Sequence, residues 1–180
     1  MGITDGWLPG AESIKSDNFD ARPQGETPSV IVLHCISLPA GHFGNSYVEQ
    51  LFTNCLDCDE HPDFDDIRDL RVSSHLFIRR DGAVHQFVPF TQRAWHAGES
   101  SFEGRSQCND FSIGVELEGI DTGRFTDRQY EALANACRLI MATWSIPTER
   151  IVGHSDIAPG RKTDPGSGFD WQRFRQSVSA

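Results

Sequence analysis

The sequence predicts an α/β layer fold, with helices covering a central β-sheet. Three observations carry this. Two apolar, β-branched segments, residues 29–34 and 150–154, each close on a histidine; two β-rich runs are joined by Asp81-Gly82; and a capped amphipathic helix starts after Thr126. With 180 residues, 38% of them hydrophobic, the chain has the length and apolar content for one domain, residues 1–180, with its core between about residues 6 and 178.

Each element follows from its local pattern. After Pro28, Ser29-Val30-Ile31-Val32-Leu33-His34 reads as a buried central strand ending at a histidine. Leu38-Pro39-Ala40-Gly41 and Phe43-Gly44 make a loop, and Tyr47, Val48, Leu51 and Phe52 then recur at helical spacing. Residues 57–66 are rich in Asp and Glu, but His61 and Pro62 stand where an EF-hand calcium loop needs an oxygen ligand and a glycine, so the segment reads as a solvated acidic loop. Residues 74–80 and 83–88 form a hairpin, because Asp-Gly tolerates the positive φ angles of a tight turn. Residues 112–118 are a strand whose alternation places Glu116 with Gly114 and Glu118 on one face and Ile113, Val115 and Leu117 on the other. Thr126-Asp127-Arg128-Gln129 is a capping box, and Tyr130, Leu133, Cys137, Ile140, Met141 and Trp144 continue as one apolar stripe until Pro147. A short strand ends at His154, and Asp170, Trp171, Phe174 and Val178 predict a closing helix.

Charge excludes some partners. At a net −10 the chain is a poor match for nucleic acid or an anionic membrane, which are bound through clustered Lys and Arg. Lys15 and Lys162 are the two lysines, against fourteen arginines, which makes a lysine inside a motif conspicuous. No apolar stretch approaches the roughly 18–20 residues that span a bilayer, and the first residues lack a basic start, an apolar core or a Ser or Thr at position 6, so a cytosolic protein is expected. Five cysteines, an odd number, fit reduced thiols; Cys55 and Cys58 form a C-x-x-C pair with no second pair to complete a tetrahedral thiolate site.

The chemistry concentrates where the two strands end. His34 and His154, with Asp164 ten residues after the second, offer two imidazoles and one carboxylate to Zn²⁺ and leave a fourth position for water, the mark of a catalytic rather than a structural zinc. Taken singly, a strand-end histidine is more often a hydrogen-bonded structural residue.

Five segments in register sharpen this reading: residues 34–39 (HCISLP), 71–75 (RVSSH), 93–98 (RAWHAG), 108–116 (CNDFSIGVE) and 153–166 (GHSDIAPGRKTDPG). Together they closely resemble the N-acetylmuramoyl-L-alanine amidase type 2 family, in particular its cytosolic branch acting on 1,6-anhydro-muropeptides, over nearly the whole chain. The resemblance implies a central mixed β-sheet flanked by helices, as in peptidoglycan recognition proteins and T7-type lysozymes. It implies one zinc per chain held by His34, His154 and Asp164, with activated water as nucleophile, Glu116 as general base and Lys162 as oxyanion stabiliser. The implied partner is an anhydro-muropeptide substrate, with no obligatory protein partner. Arg71 and Arg161 are candidates for carboxylates of the peptide stem, with internal ion pairs as the alternative. Trp95 and His96 are candidates for a sugar or peptide wall, with core packing as the alternative. His75 and His85 read as structural. Two positions depart from the cytosolic relatives: Cys35, where Asn is common, and Gln107, where Arg is frequent. Both bear on substrate recognition.

Two other readings compete. A recognition module on this fold would bind muropeptides without cutting them, but such modules have lost a zinc ligand. A thiol hydrolase would pair Cys35 with His34, although neighbours on a strand point to opposite faces.

Overall fold

The computed structural model describes residues 2–179. Its central sheet has six strands in the order β1 (Glu12–Ser13), β5 (Val84–Gln86), β4 (Leu76–Ile78), β9 (Ser112–Glu118), β3 (Val30–Ile36) and β10 (Ile151–Gly153). The four strands from β4 to β10 run parallel, whereas β5 is antiparallel to β4, so the sheet is mixed. Two short antiparallel pairs lie outside it: β2 (Phe19–Ala21) with β6 (Gln92–Ala94), and β7 (Ser101–Phe102) with β8 (Arg105–Ser106).

The two faces of the sheet are covered differently. Ile31 and Leu33 of β3 and Ile113, Val115 and Leu117 of β9 face α2 (Asp127–Trp144) and α4 (Trp171–Ser179), burying Leu133, Cys137, Ile140, Phe174 and Val178 in the main core. The predicted capping box is present: the Thr126 hydroxyl accepts the Gln129 N–H, and the Gln129 side chain accepts the Thr126 N–H. On the opposite face there are two smaller apolar clusters. Val30 and Val32 pack with Ala97, Phe111 and Ile157, while Phe77 packs with Val48, Leu51 and Phe52 around α1 (Tyr47–Phe52). Polar side chains occupy the ground between these two clusters, and the site lies there.

Several expectations are corrected. β3 does not end at His34; it runs on through Cys35 and Ile36, because β9 continues to offer ladder partners at Leu117 and Glu118. In the hairpin turn only Gly82 takes a positive φ, of 86°; Asp81 contributes instead through its side chain, which accepts the Ala83 N–H. Within the acidic segment, Pro62–Ile67 forms a 3₁₀ turn whose start is capped by the His61 imidazole accepting the Asp63 N–H. The strands β1, β2, β6, β7 and β8, of two or three residues each, are too short to leave a periodic signal.

Candidate active site

Strand register creates the first half of the site. His34 of β3 and Glu116 of β9 are direct ladder partners, so their side chains leave the sheet side by side on the less covered face. His154 follows β10 at once and opens α3 (His154–Ile157). Since β10 is parallel to β3, with Gly153 opposite Leu33, this brings the second imidazole alongside the first.

Asp164 comes from a loop that is closely held. The Asp164 carbonyl accepts the Ser155 N–H, the Thr163 hydroxyl donates to Asp121, and the Gly168 N–H donates to the Asp121 carbonyl. Gly166 has φ +84°, and a Cβ there would lie 1.9 Å from the Asp121 carbonyl oxygen, so both its conformation and its contact require glycine.

These elements bring three donor atoms together. His34 Nδ1 is 2.9 Å from His154 Nδ1, and each is 3.1 Å from Asp164 Oδ2. The far nitrogens are committed elsewhere: His154 Nε2 donates to the Ala97 carbonyl at 3.0 Å, and His34 Nε2 lies 2.9 Å from His96 Nδ1. With Nε2 protonated on both rings, both Nδ1 atoms present lone pairs to each other and to a carboxylate oxygen, an arrangement that a cation relieves. Tetrahedral zinc with bonds of about 2.0 Å separates its donors by about 3.3 Å, so the residues present fit the ion with only a small outward adjustment. Protonation states agree. Burial, outweighing the nearby carboxylate, lowers the pKa of His34 to about 4 and keeps it neutral.

Glu116 and Glu118 share a face of β9 and differ in their partners. Both Glu118 oxygens accept backbone N–H groups, from Gly44 at 2.6 Å and Arg80 at 2.8 Å, so this carboxylate ties loops together. Glu116 is 9% exposed, and its Oε2 has no hydrogen-bond partner among the described residues. Burial, reinforced by Asp164 and opposed by Lys162, pushes its pKa well above the ordinary value. A buried carboxyl kept free of partners and poised to exchange a proton is a candidate acid–base group.

One cavity of about 770 Å³ gathers most of the candidates. His34, His154, Asp164, Glu116, Lys162, Arg71, Trp95, His96, Arg161 and Cys35 all line it. Gln107 does not; it is exposed, in a left-handed conformation before the 3₁₀ turn Cys108–Asp110, and its N–H donates to the Ser100 carbonyl. Arg71 is exposed at the rim and, among the described residues, donates once, to the Leu70 carbonyl, which leaves most of its guanidinium open. Arg161 instead spends its donors on backbone, with Nη2 to the Ala97 and Glu99 carbonyls and Nε to Glu99. Cys35 packs against the main core, and burial, with Glu116 and Asp164 nearby, raises its thiol far above the ordinary value, so it stays S–H and has no thiolate with which to act as a nucleophile. His75 is fully buried, accepting the Gly114 N–H and reaching the Gln92 carbonyl, as a structural residue would.

Sequence reasoning missed Asn109 and Gly114. Asn109 Oδ1 accepts the N–H groups of both His96 and Ala97, and Gly114 leaves room for the His96 ring, since a Cβ there would lie 2.5 Å from His96 Cγ. A glycine inside an otherwise β-branched strand is itself the signal of such a close approach.

Comparison with known proteins accords with this geometry. The family model described as N-acetylmuramoyl-L-alanine amidase matches residues 24–167. The chain is 52% identical over 179 residues to the 1,6-anhydro-N-acetylmuramyl-L-alanine amidase AmpD of Escherichia coli, covering 99% of this chain and 98% of that protein. A crystal structure of a Se-Met AmpD derivative superposes with a TM-score of 0.96 at 50% identity, over 99% of both chains. The E. coli amidase AmiD, in complex with the substrate anhydro-N-acetylmuramic acid-L-Ala-D-gamma-Glu-L-Lys, gives a TM-score of 0.62 at 31% identity, over 87% of this chain and 60% of that one.

Proposed function

The chain belongs to the N-acetylmuramoyl-L-alanine amidase family, and from that premise we propose that it is a zinc hydrolase of anhydro-muropeptides in bacterial cell-wall recycling, acting in the cytosol. The bond cut is the amide between the lactyl group of 1,6-anhydro-N-acetylmuramic acid and L-alanine. The observation that carries this reading is the convergence of His34, His154 and Asp164 donor atoms beside the unpartnered carboxyl of Glu116 in one cavity.

Zinc held by these three donors supplies Lewis acidity, polarising a carbonyl oxygen and lowering the pKa of water from about 16 to about 7. Glu116, with no hydrogen bond to break at Oε2, takes the proton of the attacking water and returns a proton to the leaving amine. Burial pushes its pKa upward, which strengthens the carboxylate as a base for the proton it takes from water. Lys162, exposed at the cavity wall, brings a cation to the negative charge that develops on the carbonyl oxygen. Arg71 offers its open guanidinium to a stem carboxylate, and Trp95 offers an apolar wall to the sugar. Arg161 holds the loop that frames the site.

The test is to incubate metal-stripped and zinc-loaded protein with anhydro-muramyl tripeptide and identify the products by mass. The expected result is zinc-dependent release of the intact tripeptide and anhydro-muramic acid. Cleavage after L-alanine, or activity indifferent to chelation, overturns the assignment.

A further inference from the structure

We infer that His96 and Ala97, pinned by the single side chain of Asn109, are a positioning segment that selects Nδ1 as the metal-facing atom of both histidines. This rests on the zinc reading of His34, His154 and Asp164. The two histidines come from different parts of the chain, yet their far nitrogens meet consecutive residues: His34 Nε2 meets the His96 ring at 2.9 Å, and His154 Nε2 meets the Ala97 carbonyl at 3.0 Å. The Ala97 carbonyl can only accept, so it holds His154 in the tautomer whose Nδ1 carries the lone pair, and the His96 ring does the same for His34 when its own proton sits on Nε2, towards the Ser112 hydroxyl. If either contact opened, the ring would be free to carry its proton on Nδ1, placing that proton between the donors where a cation belongs.

The segment is held from three sides. Asn109 Oδ1 accepts the His96 N–H at 3.1 Å and the Ala97 N–H at 2.8 Å, so one amide oxygen fixes both peptide groups. Arg161 donates to the Ala97 carbonyl at 2.7 Å and fills that oxygen's second lone pair beside His154. The His96 ring lies on the bare backbone of Gly114, and its Nε2 is 3.1 Å from the Ser112 hydroxyl, which closes the chain of contacts from His34. His96 is thereby occupied on both nitrogens within the protein.

Asn109 provides the test, since it touches neither the donor triangle nor Glu116. In Asn109→Ala, zinc affinity, measured by competition with a chromophoric chelator, is expected to fall about 10- to 100-fold, the usual effect of losing an outer-shell partner. The visible absorption of the cobalt-substituted protein is expected to shift as the ligand field distorts. Asn109→Asp keeps an accepting oxygen and is expected to restore both readouts. Wild-type affinity and an unchanged cobalt spectrum in a folded Asn109→Ala protein overturn the inference. If that variant does not fold, His96→Leu, which removes the acceptor from His34 directly, takes its place with the same expected loss and the same overturning result. Failure of the wild-type protein to bind zinc at all would instead refute the metal reading on which the inference rests.

Discussion

Glu116→Gln should pull activity and stability in opposite directions. The substitution keeps the shape of the side chain and removes its charge and its proton. A general base contributes about 10²–10⁴ in rate, so turnover should fall by that factor. Stability follows from burial. Below the ordinary glutamate pKa of 4.5, Glu116 is protonated in both the folded and the unfolded chain and contributes nothing pH-dependent. Above it the unfolded chain releases its proton while the buried native carboxyl keeps it, so wild-type stability falls by about 1.4 kcal/mol per pH unit until the native group also ionises. Glutamine does not titrate, so the variant should gain on wild type from about pH 4.5 upward, over a constant offset set by how well its amide is accommodated. Urea unfolding of metal-stripped protein between pH 4 and 8, with equal m-values as the check on two-state behaviour, reads this difference. Added zinc should shrink the pH dependence, because a nearby cation favours the ionised carboxyl. Parallel stability curves for the two proteins would show that Glu116 carries no displaced proton. Retained turnover would remove it from the proton-transfer role.

Three further outcomes are expected. Gly166→Ala puts a Cβ 1.9 Å from the Asp121 carbonyl at φ +84°, so the loop must move; stability should drop by at least about 1–3 kcal/mol and zinc affinity should fall with it, measured by thermal unfolding and chelator competition. Lys162→Ala should lower kcat by about 10²–10³ while leaving zinc affinity near wild type, because the role proposed for the ammonium is to meet charge that grows only in the transition state. His75, whose pKa burial lowers to about 3, remains neutral in the native state when the unfolded chain has taken up a proton below about pH 6.5. Stability is therefore lost as pH falls from about 6.5 towards 3, and His75→Gln should flatten this acid limb by up to about 1.4 kcal/mol per pH unit in denaturant titrations.

What could be read from the sequence was whatever depends on local pattern. β9 matches its predicted span because its apolar alternation and its ladder coincide, and α2 begins at the predicted capping box. The donor trio was legible because two of its members stand next to apolar β-branched runs. The extension of β3 past His34 was not, since Cys35 and Ile36 are held in the ladder by residues 117–118 of another strand. The placement of Gln107 outside the cavity lining depends on the turn at 108–110 and on the Ser100 carbonyl, which are tertiary facts. Arg161 could have met a carboxylate or the protein itself; its bonds to the carbonyls of Ala97 and Glu99 come from chain more than sixty residues away, beyond any local pattern.

The site is thus assembled from parts with different mechanical anchors. His34 and Glu116 are rungs of one ladder between two buried seven-residue strands, so their separation is set by the sheet and resists perturbation of the loops. Asp164 and Lys162 ride on one loop, which is locked to residues 121–123 by glycine contacts and by hydrogen bonds to Asp121. Loosening that lock should therefore displace the proposed metal ligand Asp164 and the proposed oxyanion cation Lys162 together while leaving the His34–Glu116 pair in place. This predicts that loop substitutions reduce zinc affinity and turnover in step, whereas substitutions at Glu116 separate the two. The difference follows from which backbone carries each side chain, since all of these side chains line the same cavity.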